Sequence, residues 1–164
     1  MRHPRTFTFH IFSAKRVSFA VAANQAADYY VNLPQLDALV NFGDRPDFYE
    51  LTLNRMVGTM SGTNSTPANA GGGNGFFQLS LDLPAPYVIT NGGPSVLFIV
   101  PVTGQGLTNT VDGSYFETEP VIVAASGISS MLHVRVLDQA GALLDCANHE
   151  HVITLTMREV FVGV

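Results

Sequence analysis

The sequence predicts an all-β domain, an antiparallel β-sandwich of eight to ten strands. Three observations carry that expectation. Segments rich in Val, Thr, Phe and Tyr alternate apolar and polar residues with a period of two. Clusters of Gly, Pro, Asn and Asp cut them at short intervals. Helical periodicity is almost absent. With no internal repeat and no linker, residues 1–164 read as a single domain.

Thr6-Phe-Thr-Phe-His-Ile-Phe12 alternates cleanly and places Phe7, Phe9 and Ile11 on one face. Val17 to Val21 repeats the pattern after a charged turn at Lys15-Arg16. Asp28 to Leu33 makes a third strand, stopped by Pro34. Leu36 to Phe42 has the composition of a helical turn, broken by Gly43-Asp-Arg-Pro46. Phe48 to Val57 is a long strand, followed by a Ser, Thr, Asn and Gly loop from Thr59 to Gly75. Phe76 to Leu83 resumes the alternation until Pro84 and Pro86. Val96 to Val100 is apolar throughout, as expected of a strand covered on both faces. After a loop from Gly104 to Ser114, strands are expected at Tyr115 to Glu117 and Val121 to Ala125. Met131 to Leu137 leads into the turn Asp138-Gln-Ala-Gly141. Val152 to Val162 closes the chain, with Ile153, Leu155 and Met157 opposite Thr154, Thr156 and Arg158. Strands in this number build two packed sheets; a single jelly roll and a Greek-key barrel are both economical solutions.

Composition narrows the function. Charged residues make up 13% of the chain, about half the usual share, while hydrophobic residues at 46% are ordinary. A weakly charged exterior points to surfaces that meet other chains. The net charge of −5 argues against specific nucleic-acid binding, which needs a basic footprint. The charge is unevenly placed: Arg2, Arg5, Lys15 and Arg16 precede the first acidic residue, Asp28. Such a terminus either faces a polyanion or is simply cationic, and the second reading is the plainer. Cys146 is the lone cysteine, so no intrachain disulfide is expected. No apolar run reaches transmembrane length. Val17 to Ala23 is too short and too polar for a good secretory signal, so none is expected.

The sharpest chemical cluster is Asp145-Cys-Ala-Asn-His-Glu-His151, where Cys146, His149 and His151 have metal-ligating chemistry. A cupin site also begins with His-x-His on a β-sandwich, but it needs a Glu about four residues on and a later His. Here the next Glu is Glu159 and no histidine follows His151. A polar loop between two strands is the plainer reading. Gly71-Gly-Gly-Asn-Gly75 lacks the Lys and following helix of a phosphate loop. Asn64-Ser-Thr66 is a formal glycosylation sequon without a secretory context. Glu117 and Glu119 would lie on one strand face at a carboxylate spacing used by glycosidases, but no Trp offers a sugar platform. No Gly-x-Ser-x-Gly elbow is present. No catalytic, cofactor-binding or metal residues are therefore assigned, and no enzyme activity or cofactor is expected.

Two stretches carry a resemblance. Asp28-Tyr-Tyr-Val-Asn-Leu-Pro34 followed by Phe48-Tyr-Glu-Leu-Thr-Leu53 resembles the opening of capsid jelly rolls in tailless double-stranded DNA viruses. There an extended YxVxLP strand precedes a YE-apolar-x-Leu strand. Met131 to Leu144 followed by Ile153-Thr-Leu-Thr-Met157 resembles their closing hairpin, an LLDxxGxxL strand and turn with a final alternating strand. The length fits one jelly roll. The resemblance implies a penton-like or minor capsid protein of the virion, made in the host cytoplasm. Its partners would be copies of itself in a ring, a pentamer first of all, and neighbouring capsid proteins. The basic N-terminus would then lie near the genome or an internal membrane. The alternatives are a ligand- or receptor-binding sandwich, such as a trimeric tumour-necrosis-factor-like or carbohydrate-binding module, and a cupin-like metalloenzyme centred on His149 and His151.

Overall fold

The computed structural model describes residues 3–19, 26–36, 46–58, 76–88, 96–101, 119–138, 140–144 and 150–163. They form an antiparallel β-sandwich of nine strands: β1 (Thr6–Phe12), β2 (Ser18–Phe19), β3 (Asp28–Asn32), β4 (Phe48–Gly58), β5 (Phe76–Leu81), β6 (Val96–Pro101), β7 (Val121–Ala124), β8 (Met131–Leu137) and β9 (His151–Val160). One sheet has the order β1-β9-β4-β7, the other β2-β3-β8-β5-β6. From β3 onward the chain crosses between sheets, apart from the β5–β6 hairpin. Setting aside the two-residue β2, this order is that of a jelly roll.

Alternation makes the sandwich. Ile11, Leu51, Leu53, Ile153, Leu155 and Met157 face inward from the first sheet. Tyr29, Val31, Phe77, Leu79, Leu132, Val134 and Val136 face them from the second, and all belong to one buried cluster. β4 departs from strict alternation: its pairing with β9 slips between Leu53 and Arg55. The extra residue lets Leu53 and Met56, three apart, both point inward, a β-bulge that period-two counting does not reveal. The all-apolar β6 was expected to be covered on both faces. Phe98 and Val100 are buried, but Ile99 is 54% exposed. Ile99 holds the phase opposite to Phe98 and Val100 and points away from the facing sheet.

The turn after β8 works as its composition predicts. Asp138 Oδ1 accepts from the backbone N–H groups of Ala140 and Ala142, both at 2.9 Å, and Gly141 takes a positive φ of 86°. The predicted helical turn is described only at its start, where residues 34–36 form one turn after β3. The expected strand at Tyr115 to Glu117 and the loops Thr59 to Gly75 and Gly104 to Ser114 lie outside the described residues.

Leu155 sits at the centre of β9, fully buried between β1 and β4. Leu155→Ala should destabilise the fold by about 3 kcal/mol, read as a lowered urea midpoint with an unchanged slope.

Candidate functional site

The densest polar assembly lies where β1 ends and β9 begins. Just past β1, a 3-10 turn at Ser13–Lys15 turns the chain toward β2 and leaves Ser13 buried. The Ser13 hydroxyl donates to Glu150 Oε2 and accepts from the backbone N–H of His151 at 2.8 Å. Arg16 NH1 donates to the Ser13 carbonyl at 2.8 Å and to Glu150 Oε1 at 2.8 Å. His151, the first residue of β9, is 2% exposed and points into the core. Its Nε2 shares a 2.8 Å hydrogen bond with Tyr29 Oη, from β3 in the opposite sheet. This bond crosses the core between the sheets.

Gly58 makes room for that placement. It faces His151 across the β4–β9 ladder, and a Cβ there would lie 2.5 Å from the His151 Cβ. Only a glycine tolerates such an approach.

Burial dominates the electrostatics of the cluster. It pushes the His151 imidazole down to about 4, against a favourable effect of Glu150 and with a smaller contribution from Arg16. His151 is therefore neutral at physiological pH, and its Nδ1 is buried without a hydrogen-bond partner among the described residues. Burial also pushes the Glu150 carboxyl up, but the Ser13 hydroxyl and the Arg16 guanidinium outweigh it and hold the group below its ordinary value.

A second ion pair closes the other end of the same two strands. Glu159 is in phase with the buried residues of β9 and is itself 1% exposed. Arg5 grips it from Nε at 2.9 Å and NH2 at 2.5 Å, while the Arg5 backbone N–H donates to Oε2 at 2.9 Å. The guanidinium also lies over Phe7, 5.3 Å from the ring centre. Arg5 and Arg16 are thus both engaged with carboxylates of their own chain, whereas Lys15 is exposed and Arg2 lies outside the described residues.

The segment with metal-ligating chemistry, Asp145 to His151, is only partly in view. Cys146 and His149 lie outside the described residues. His151 and Glu159, the next glutamate after it, stand at opposite ends of β9, roughly 26 Å apart at strand rise. They cannot share an ion. Glu119 is exposed and precedes β7 rather than lying within a strand, and Glu117 is outside the described residues, as are Gly71 to Gly75 and Asn64 to Thr66.

Two features escaped sequence reasoning. On the outer face of the larger sheet, His133 Nε2 meets Asp28 Oδ1 at 2.5 Å, and Tyr30 stacks on the imidazole at 4.2 Å between centres. The signal was present, since all three hold outward phases, but the β3–β8 pairing that joins them is not local. Threonine is the commonest residue on the outer face of the smaller sheet. Its cross-strand rows read Thr6–Arg158–Glu50, Thr8–Thr156–Thr52, His10–Thr154–Arg55 and Phe12–Val152–Val57. Arg158 and Glu50 stand directly opposite each other, and Arg55 is the third charge in these rows.

The sequence matches no protein-family model and no curated protein.

The buried imidazole fixes a pH response. The unfolded chain takes up the His151 proton below about pH 6.5 and the folded chain only near 4, so stability falls as pH drops through that window and levels off below it. Between pH 7 and pH 5 the loss should be about 2 kcal/mol, measured by urea unfolding, and His151→Gln should remove most of it. Glu150 contributes below this interval, because its depressed carboxyl holds its proton off until the pH falls under 4.5. The two ion pairs should differ in weight. Arg5→Ala takes the guanidinium from a fully buried carboxylate, whereas the Glu150 side chain is 42% exposed. Arg5→Ala should therefore lower the urea midpoint more than Arg16→Ala does.

Proposed function

We propose that this protein is a viral structural protein, a penton-like or minor capsid component whose work is assembly into an icosahedral shell. The single observation that carries the reading is the threonine-rich outer face of the β1-β9-β4-β7 sheet, with five Thr and three charged residues in its four cross-strand rows, on a chain with few charges in total. An isolated domain gains solubility from charge on such a face; a subunit that buries the face has no need of it. The jelly-roll strand order and the resemblance of Asp28 to Pro34 and Met131 to Leu144 to capsid jelly rolls support the same reading.

Assembly works here by exclusion of water from neutral surface. Sandwiches set side by side in a closed ring meet through heterologous contacts, one patch of each subunit against a different patch of the next. Threonine suits this role: its methyl group packs on a flat sheet, and its hydroxyl finds partners across an interface without the desolvation cost of a full charge.

Native mass spectrometry and class-averaged electron micrographs of the purified chain at high concentration test the proposal. A closed ring of five copies is expected. Thr52→Lys, which places a cation in the Thr8–Thr156–Thr52 row, should disperse the ring while leaving the β-sheet circular dichroism unchanged. A parent chain that forms no ring at any concentration would overturn the reading.

A further inference from the structure

The edges of the sandwich are unequally protected. β2 is two residues long, β7 is four, and β6 ends in Pro101. β1 is seven residues long and pairs with β9 without a register slip. It contains no charged residue, no proline and no bulge, the devices by which natural sheets guard their edges. The backbone N–H of Glu159 donates to the Arg5 carbonyl, which sets the phase of the ladder. The main-chain groups of Arg5, Phe7, Phe9 and Ile11 therefore face β9, and those of Thr6, Thr8, His10 and Phe12 point away from it. These four residues are exposed, and among the described residues their outward backbone groups have no main-chain partner.

A second observation is independent of the backbone. Phe7 and Phe9 share the inward phase of Ile11, which is fully buried, yet both rings are only half-buried. They line a cleft of about 600 Å³ bounded on its far side by Leu33, Gln35 and Leu36. Core-facing aromatic rings left partly uncovered beside an unpaired strand edge mark a place where another strand adds.

We propose that β1 pairs antiparallel with β1 of a second copy of this chain, about a two-fold axis through Phe9, so that two four-stranded sheets become one continuous sheet. In this register Thr6 faces Phe12 of the second copy and Thr8 faces its His10, each pair exchanging both main-chain hydrogen bonds. Phe9 meets its own counterpart as a close non-hydrogen-bonded pair, and Phe7 meets Ile11. The occupant is a second copy because the strand is complementary to itself. Antiparallel pairing of Thr6–Phe12 opposes no like charges, and the nearest cation, Arg5, is held by Glu159 of its own chain. The row Thr52–Thr156–Thr8 then runs on into His10 and Thr154 of the second copy, two residues already joined by a 2.9 Å hydrogen bond. This contact is isologous, goes beyond the proposed ring and does not require it.

The register gives a direct test. In a Cys146→Ser background, Phe9→Cys places two sulfurs across the axis, with Cα atoms about 4.5 Å apart, inside the span of a disulfide. Mild oxidation of the full chain should yield a covalent dimer on a non-reducing gel, and Phe7→Cys should not. In a Thr52→Lys background, which removes the ring, sedimentation should show a dimer. Adding Thr8→Pro, which deletes an outward N–H and none of the β9 ladder bonds, should halve that mass with circular dichroism unchanged. Absence of the Phe9→Cys crosslink, equal crosslinking by Phe7→Cys, or a dimer that survives Thr8→Pro would each overturn the proposal. Loss of the ring with the crosslink intact would count against the capsid reading alone.

Discussion

The fold depends on one pairing: β9 lies between β1 and β4 and hydrogen-bonds to both. The strand nearest the end of the described chain is thereby an inner strand of the smaller sheet, and among the described residues the first strand pairs only with the last. Each β1–β9 partner pair is some 140 to 150 residues apart in sequence, as the ion pair and the Ser13 latch at its two ends record. Closing so long a loop costs entropy that few local contacts offset. The two ends of the pairing are accordingly fastened by charge-assisted bonds, Arg5 with Glu159 at one and Arg16, Ser13 and Glu150 at the other. Tyr29 and His151 then tie this sheet to the opposite one through the core.

What the sequence revealed, and what it concealed, follows from range. β1 and β8 have the limits their alternation predicts, because side-chain phase along a strand is a local property. The two sheets could likewise be inferred from strand number and the lack of helices. The jelly-roll order could not be separated from a Greek-key barrel, since pairing is decided between residues far apart. The slip at Leu53 escaped notice because a bulge leaves composition unchanged. The polar cluster was half legible. Asp145 to His151 stood out as unusual chemistry, but nothing local tells whether a histidine at a strand start turns inward to a tyrosine in another sheet or outward to solvent. Glu159 is an acid by type, and only its phase with Leu155 and Met157 marks it as buried.

Charge is distributed with a consistent logic. Acids and bases on the smaller sheet are spent in pairs, Glu159 with Arg5 and Glu150 with Arg16, while Glu50 stands across the ladder from Arg158. Threonine is the commonest residue on the broad surface between them, with Arg55 and His10 set among the threonines. The larger sheet shows another solution, a histidine set between a carboxylate and a tyrosine ring on its outer face. The two faces of the sandwich therefore offer different chemistry to their surroundings, and their neighbours in any assembly need not be alike.

The position of β1 also bears on how the chain is made. A ribosome releases Thr6–Phe12 early, but its only partner strand emerges after nearly all the rest of the chain, roughly 10 to 30 s later at ordinary elongation rates. Throughout that interval three phenylalanines and an isoleucine in a β-forming heptad have no sheet to join. On crowded polysomes, nascent copies displaying this segment lie close together, and the heptad is the natural first target for a holdase chaperone.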